Sequence, residues 1–440
     1  MAVLIMTIAA TALLVIDITI VSIALPAIQS DLGGGLAAAQ WIIIGYTVTF
    51  GALQQPAASL SDRLGRRTMF TAGITVFTVS SLACGLAQSA LALDLARLAQ
   101  GAGAALIMAN ALPMLAQTYE GQRRNMAIAV WGTTLGAAGA AAPVLGGILL
   151  AVADWRALFL VNVPVGIVAL FLCRRVLPAD AARGTAPIDW PGAALLLLLL
   201  TAANLALTLA QWWYGAAAVL LLAAFLLVER RAVAPVLDLS LFRIPTFVAA
   251  SLLAFVSRVA TIGSSVYYVL YFERELGLTP LATGLLMAAI LIPQLLTGLL
   301  AGKLLARFSP SFLIAGGSAV LGLGGVHMAM TFAPAASAWD FLPGLILWGV
   351  GGGLAATPKT TLAVNVVEKE RAGMASGMVN TMLAIGAAAG VGLLGIPYAA
   401  GGASLVMYTA AALSVVTAVI ALVLVRPQDL VTGAPVTRSP

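Results

Sequence analysis

Asp17 sits where charge is expensive. It lies about 13 residues into the first apolar run, roughly 20 Å along a helix that rises 1.5 Å per residue. An ionised group at that depth costs at least about 2.5 kcal/mol, so it needs a partner or a task. Arg97 lies a few residues inside another apolar run, entered from the opposite side, at a similar depth. The two can form an ion pair or share a water network. The pair is then either a static strut or a coupling site, whose carboxylate takes up a proton on one side and releases it on the other. Arg258 lies about 13 residues into its own run. It can bind an anionic substrate group or neutralise Asp17 across a central cavity. His327 can accept a proton, although a lone His in a Gly-rich run also reads as a packing residue. Glu273 is expected at a wet outer end, and Lys359 near an inner end, within reach of headgroups.

Composition sets the elements that must position these groups. Of 440 residues, 62% are hydrophobic, 9% are charged and 44 are Gly, and the mean hydropathy is +1.06. Soluble domains carry about 25% charged residues, so most of this surface must face lipid. The apolar runs are about 20 residues long and do not alternate, which excludes a β-barrel and fits helices crossing about 30 Å of hydrocarbon. Cys84 and Cys173 lie far apart in apolar runs, implying neither a disulfide framework nor a metal cluster. The net charge of +6 is held in short clusters between runs, a signal of topology and not of nucleic-acid binding. The first run is too long for a signal-peptide core and lacks a cleavage site, so it reads as a retained helix.

Fourteen spans are expected: 4–26, 41–60, 69–89, 92–117, 126–150, 157–177, 190–210, 214–229, 245–271, 280–304, 312–333, 341–363, 373–397 and 403–425. Arg63, Arg66, Arg67, Arg123, Arg174, Arg183, Arg230, Lys303, Lys369, Arg371 and Arg438 are among the basic residues that follow even-numbered spans. Only Arg156 and Arg274 occupy the opposite loops. This bias puts both termini in the cytoplasm. The chain also repeats. Gly101, Gly103 and Leu106 fall on Gly349, Gly351 and Leu354 at an offset of 248 residues, and Leu60 to Arg63 echo Leu304 to Arg307 at 244. The expected domains are an N-terminal six-helix bundle (1–177), a linker with two inserted helices (178–244), a C-terminal six-helix bundle (245–425) and a cytoplasmic tail (426–440). Two related halves suit a midplane site that opens to either side in turn.

The loop after the second span reads Ala58-Ser59-Leu60-Ser61-Asp62-Arg63-Leu64-Gly65-Arg66-Arg67. It resembles the G-x-L-x-D-R-x-G-R-R signature of the major facilitator superfamily, with Ala58 in place of the first Gly. Ile16-Asp17-Ile18-Thr19-Ile20-Val21 with Ala24-Leu25-Pro26 is similar to the first-helix signature of the superfamily's fourteen-span drug:proton antiporter family. Further similar positions are Arg97, Gln100, Gly101 and Gly103, then Gly139, Pro143, Gly146 and Gly147, with Ala142 where that family usually has Gly. Trp155-Arg156 with Asn162 and Pro164, Asp189-Trp190-Pro191-Gly192, Pro235 to Leu239, and Ala372 to Gly377 with Asn380-Thr381 extend the match. The resemblance implies the all-α major facilitator fold: two pseudo-symmetric six-helix bundles plus two inserted helices. It also implies proton-coupled export, with Asp17 and Arg97 as coupling residues. Asp62, Arg63, Gly65 and Arg66 would form a gate, and Gly139, Pro143, Gly146 and Gly147 a hinge and seal. From residue type alone, Pro143 invites a kink and the glycines of this span allow close helix packing.

Arg258, Tyr46, Gln54, Gln55, Asn110, Trp131, Tyr267 and Gln294 are candidates to line a substrate cavity, along with Trp41 and Tyr268, whereas Trp212, Trp213 and Tyr214 suit an interfacial belt. No H-E-x-x-H or G-x-S-x-G motif occurs and there is one His, so an enzyme is not expected. Titratable groups at the midplane of a repeated chain favour alternating access over a passive channel. The expected function is proton-coupled export of amphipathic drugs or related small organic compounds in the bacterial inner membrane. The alternative is proton-coupled transport of a specific organic anion or metabolite, because Arg97 and Arg258 outnumber Asp17. The expected partners are a small-molecule substrate, protons and the lipid bilayer, with no nucleic acid, no metal, no cofactor beyond the proton gradient, and function as a monomer.

Overall fold

The computed structural model describes residues 2–426 other than Gly34, 178–187, Ala210, Ala234, Asp238, Leu239, Ala306, 334–335 and 367–371. Of the residues named above, Arg183, Asp238, Leu239, Ala306, Lys369, Arg371 and Arg438 lie outside this set. In chain order the helices are α1 (Ala2–Leu32), α2 (Leu36–Leu64), α3 (Arg66–Gly85), α4 (Ala90–Thr118), α5 (Gly121–Val152), α6 (Ala157–Leu160) and α7 (Asn162–Val176). They continue as α8 (Trp190–Leu209), α9 (Trp212–Glu229), α10 (Pro245–Arg258), α11 (Ser264–Arg274), α12 (Pro280–Leu304), α13 (Pro310–Thr331), α14 (Leu342–Asn365) and α15 (Ala372–Leu424). Among the described residues there is no strand, and eleven helical segments are long and apolar enough to cross a bilayer.

Local chemistry starts and bends these helices. The side chains of Ser89, Thr279 and Ser309 accept from the backbone N–H groups of Ala92, Ala282 and Phe312, and Pro280 and Pro310 follow as first helical residues that need no donor. Gly65, at φ +100°, turns the chain between α2 and α3 where an L side chain would be strained. The run expected as one helix over 245–271 is one continuous helical span, Pro245–Arg274, which carries a π segment, Val259–Gly263, between α10 and α11. The runs expected as separate helices, 373–397 and 403–425, are two helices within the range Ala372–Leu424, where the chain leaves the helical conformation at Gly401 (φ −154°, ψ 20°) and Gly402 (φ 66°, ψ −160°). The two glycines supply the tight connection between them, Gly402 with a positive φ that an L side chain rarely adopts.

The repeat is visible in the packing. A Cβ added at Gly101 on α4 would lie 2.4 Å from Tyr46 O on α2, and one at Gly349 on α14 would lie 2.0 Å from Ile290 O on α12. On the opposite side, Gly103 would meet Phe77 N at 2.6 Å, and Gly351 would meet Leu321 N at 2.3 Å. In each half a pair of glycines therefore lets a central helix lie against the backbones of two neighbours, one glycine to each.

We call the side at which α1 begins the near face and the side at which it ends the far face. The N-terminal helices join the C-terminal ones through α5 against α12 and α2 against α15. The α5–α12 approach is backbone-close: a Cβ at Gly147 would meet Pro280 O at 2.7 Å, and one at Gly284 would meet Pro143 O at 2.3 Å. Further far-face ties are Gln40 Nε2 donating to Tyr267 Oη at 2.7 Å and Arg274 donating to Gln29 Oε1. Toward mid-helix the seam continues where Gly51 meets Ala384. The paired helices α8 and α9 lean on this seam, with Trp41 Nε1 donating to Thr208 Oγ1 at 3.2 Å.

Candidate functional site

Asp17, halfway along α1, is enclosed by polar groups from three other helices. Its Oδ1 accepts from Gln100 Nε2 on α4 and Asn162 Nδ2 on α7, each at 2.9 Å, and its Oδ2 is ion-paired with Arg97 Nη1 on α4. Gln100 is oriented by its other contacts: its Oε1 accepts from Arg97 Nη1 at 2.7 Å, and its Nε2 also donates to Ser81 Oγ on α3 at 2.8 Å. Arg97 Nε donates to Ile42 O on α2 at 2.9 Å, and its guanidinium lies 4.4 Å from the centre of the Tyr46 ring. Asp17 and Arg97 are each 1% exposed. Water therefore contributes little to solvating either charge, and the donor cage replaces it. A proton added to Asp17 would cancel its ion pair with Arg97 while leaving the guanidinium buried, so protonation here changes what holds α1 to α4.

The structure thus brings together Asp17 and Arg97, as the sequence suggested, and adds partners not assigned to the site from sequence. Gln100 follows Arg97 by three residues, which puts both on one face of α4. That spacing was the available signal. Asn162 is marked only as a position of the motif resemblance, with no role assigned, and nothing local marks Ser81. Asp94, one turn before Arg97 on α4, has a buried Oδ1 with no hydrogen-bond partner and feels the Arg97 charge.

Several expected site residues are placed elsewhere. Arg258 does not meet Asp17: the Asp17 carboxylate is taken up by its cage, and no ion pair joins the two. Tyr46 is fully buried beneath Arg97 with an unpartnered hydroxyl, and does not line a cavity. Asn110, also fully buried, donates to Ser61 Oγ at 2.8 Å in the α2–α4 seam. Tyr267 is buried where α11 meets α15, donating to Val391 O. Each of the three is consumed by helix packing. Gln54 is buried, Gln55 lies against Gly377, and Gln294 is exposed on α12 beside Gly352. Trp131 Nε1 donates to Thr11 Oγ1 at 3.0 Å, tying α5 to α1.

At the near face, Asp62 pairs with Arg66 one turn on, at 3.0 Å, and not with Arg63, which is exposed. Gly139 and Gly146 sit against Val15 and Ile20 of α1, so the α5 motif lies between α1 on one side and α12 on the other. Pro143 is inside α5 and buried. Glu273 is not wet at both oxygens, since its Oε1 is buried without a partner. His327 Nδ1 is likewise buried without a partner, and would lie 3.0 Å from a Cβ at Gly344, the environment of a packing residue.

The sequence matches the profile of the Major Facilitator Superfamily over residues 7–266 and again over 250–439. It is 34% identical over 399 residues to the drug efflux pump JefA of Mycobacterium tuberculosis, covering 88% of this chain and 78% of that protein. It is 31% identical over 391 residues to the methylenomycin A resistance protein of Streptomyces coelicolor, covering 87% and 82%. Among solved structures, a bacterial homologue of the human lysosomal transporter Spinster, in an inward-facing and occupied conformation, superposes with a TM-score of 0.71 at 16% identity over 98% of both chains. At that identity the likeness shows the fold. With its multi-pass helical architecture and these relatives, the chain belongs to the major facilitator superfamily, and it is a membrane transporter and not an enzyme.

Proposed function

We propose that this transporter is a proton-coupled exporter of amphipathic drugs or related small organic compounds, of the fourteen-span type. The observation that carries the reading is the Asp17 cage: a titratable carboxylate, fully buried, whose ion-pair partner belongs to another helix. The names of the relatives, an efflux pump and an antibiotic resistance protein, support export of drug-like compounds. Fourteen crossings are supported by α2 and α5, of 29 and 32 residues, and by α15, whose 53 residues suffice for two crossings about its diglycine bend. The near face is read as cytoplasmic, with both termini there in a bacterial inner membrane, and the chain as acting alone with the proton gradient as its sole energy source. Residues 1–177 and 245–425 are read as the two bundles, with 178–244 carrying the inserted pair.

On this reading the far-face contacts describe a conformation closed to the outside. When the halves rock to open that face, Asp17 is protonated, Arg97 loses its bonded counter-charge, and the α1–α4 contact loosens. Return to the inward-open state releases the proton to the cytoplasm. The α5–α12 approach at Pro143, Gly147, Pro280 and Gly284 is the seal that breaks and re-forms, assisted by Gly139 and Gly146 against α1. Asp62, Arg63, Gly65 and Arg66 set the α2–α3 turn that the near-face gate uses.

The test is transport into everted membrane vesicles carrying the full chain, with an imposed pH gradient and a set of cationic and anionic amphipathic dyes. Accumulation of at least one dye that collapses when the gradient is dissipated is expected. Transport driven equally well without a gradient, or none for any dye, would sink the export reading.

A further inference from the structure

Two cations within the helices take no part in the Asp17 cage. Arg258 closes α10, immediately before the π segment, and Lys359 follows Pro358 in α14. Neither has a hydrogen-bond or ion-pair partner among the described residues. They belong together: α10 packs against α14, and Lys359 stands within Coulombic reach of Arg258. The stem of Arg258 lies against α15, where a Cβ at Gly386 would fall 3.1 Å from the Arg258 Cβ. Beyond that packed stem Arg258 is exposed. A packed stem with an exposed remainder leaves the charged head accessible beside α14 and α15, the helices that α10 packs against. Its place is about 20 Å from the start of α10 at Pro245, too deep for snorkelling to the near-face headgroups to be easy.

Two like charges on helices packed against each other, neither with a counter-charge, are costly within the membrane, and an anion seated between them removes most of that cost. The chemistry is complementary: the Arg fork offers paired donors to a carboxylate, sulfonate or phosphate, and the Lys adds a point charge. We propose that Arg258 and Lys359 form a binding site for the anionic group of an amphipathic cargo. Only the word cargo rests on the export reading. Binding of the anionic group stands on its own.

The experiment is equilibrium binding of carboxyfluorescein, with ethidium as a cationic control, to the purified full chain in nanodiscs of neutral phosphatidylcholine. Saturable carboxyfluorescein binding is expected, weakened about ten- to a hundredfold by Arg258→Gln and by Lys359→Gln, the loss of one charged hydrogen bond. Arg258→Lys, which keeps the charge and loses the fork, should fall between wild type and Arg258→Gln, and ethidium binding should be the same in every variant, which also shows that the variants are folded. The proposal is overturned by a wild-type chain that binds no carboxyfluorescein, by unchanged affinity in both Gln variants, or by equal losses for the two dyes. Weakening by the Gln variants that is seen only in discs containing anionic phosphatidylglycerol would identify a lipid headgroup as the occupant and overturn the assignment to cargo. A chain that binds carboxyfluorescein as described but moves no dye under a pH gradient would sink the export reading and leave the anion site standing.

Discussion

Asp17→Asn is the sharpest perturbation of the cage, because its effects on stability and on transport can be separated. The amide keeps the side-chain shape and an oxygen that can still accept from Gln100 and Asn162, so the loss is confined to the contact with Arg97. Both partners are 1% exposed, so water does not screen the pair, and removing one charge leaves the other buried alone. That situation costs about 3 to 5 kcal/mol. Arg97→Gln should cost a similar amount, for the mirror reason. The double variant Asp17→Asn with Arg97→Gln leaves no buried charge in the cage and places two amides where they can bond, so most of the loss should return, with a coupling of at least about 2 kcal/mol between the sites. Transport should not return, because no group at position 17 can carry a proton. The assays are denaturant or thermal unfolding of the purified chain and gradient-driven dye uptake in everted vesicles. Additive destabilisation in the double variant would refute the isolated buried pair. Undiminished gradient-driven uptake by Asp17→Asn would refute Asp17 as the coupling residue.

Two further outcomes follow from backbone contacts. Gly101→Ala and Gly349→Ala each drive a methyl into a carbonyl oxygen, at 2.4 and 2.0 Å before relaxation, and should each destabilise the fold by about 1 to 3 kcal/mol, whereas Gly302→Ala, with nothing within 4 Å, should be tolerated. Unfolding of the three purified variants checks this, and equal stability would show that α2 and α12 can yield. Gly284→Ala should prop open the far-face seal at Pro143, lengthening the distance between spin labels at Ser30→Cys and Glu275→Cys and slowing export. An unchanged distance distribution would remove this contact from the closure.

The sequence carried the helical membrane class and the Asp17–Arg97 pair because both follow from local facts: apolar run length, and the depth of a charge within its run. The repeat was legible at Gly101 and Gly349 because a helix that packs backbone-close on two sides tolerates only Gly at those points. What a residue touches on another helix was not legible. Tyr46, Asn110 and Tyr267 were good cavity candidates by residue type, yet each sits in a helix seam set by the rotation of its helix, which an almost wholly apolar surround does not encode in any amphipathic pattern. The same ambiguity hid the packing of α14 on α10, which puts Lys359 and Arg258 on neighbouring helices. The break between 397 and 403 was legible because Gly401 and Gly402 punctuate the apolar run, and both residues depart from helical φ/ψ.

The placement of charge constrains how coupling can work. Every member of the cage comes from α1, α3, α4 or α7, while Arg258 and Lys359 come from α10 and α14. A proton and an anionic cargo group therefore need not compete for one side chain, and both can be bound at once. What the two sites share is the seam between the halves, α5 against α12 and α2 against α15. Protonation that loosens α1 from α4 also loosens the support of α5, because Val15 and Ile20 of α1 lie against Gly139 and Gly146. An anion between Arg258 and Lys359 fastens α10 to α14 on the other side of the same seam. Each ligand then biases one rigid set of helices, and coupling is the difference in how well the closed and open seams accommodate both. On these grounds, neutralising Arg258 should change which cargo is held without abolishing the proton step. Neutralising Asp17 should abolish uphill export of every cargo while leaving the anion bound.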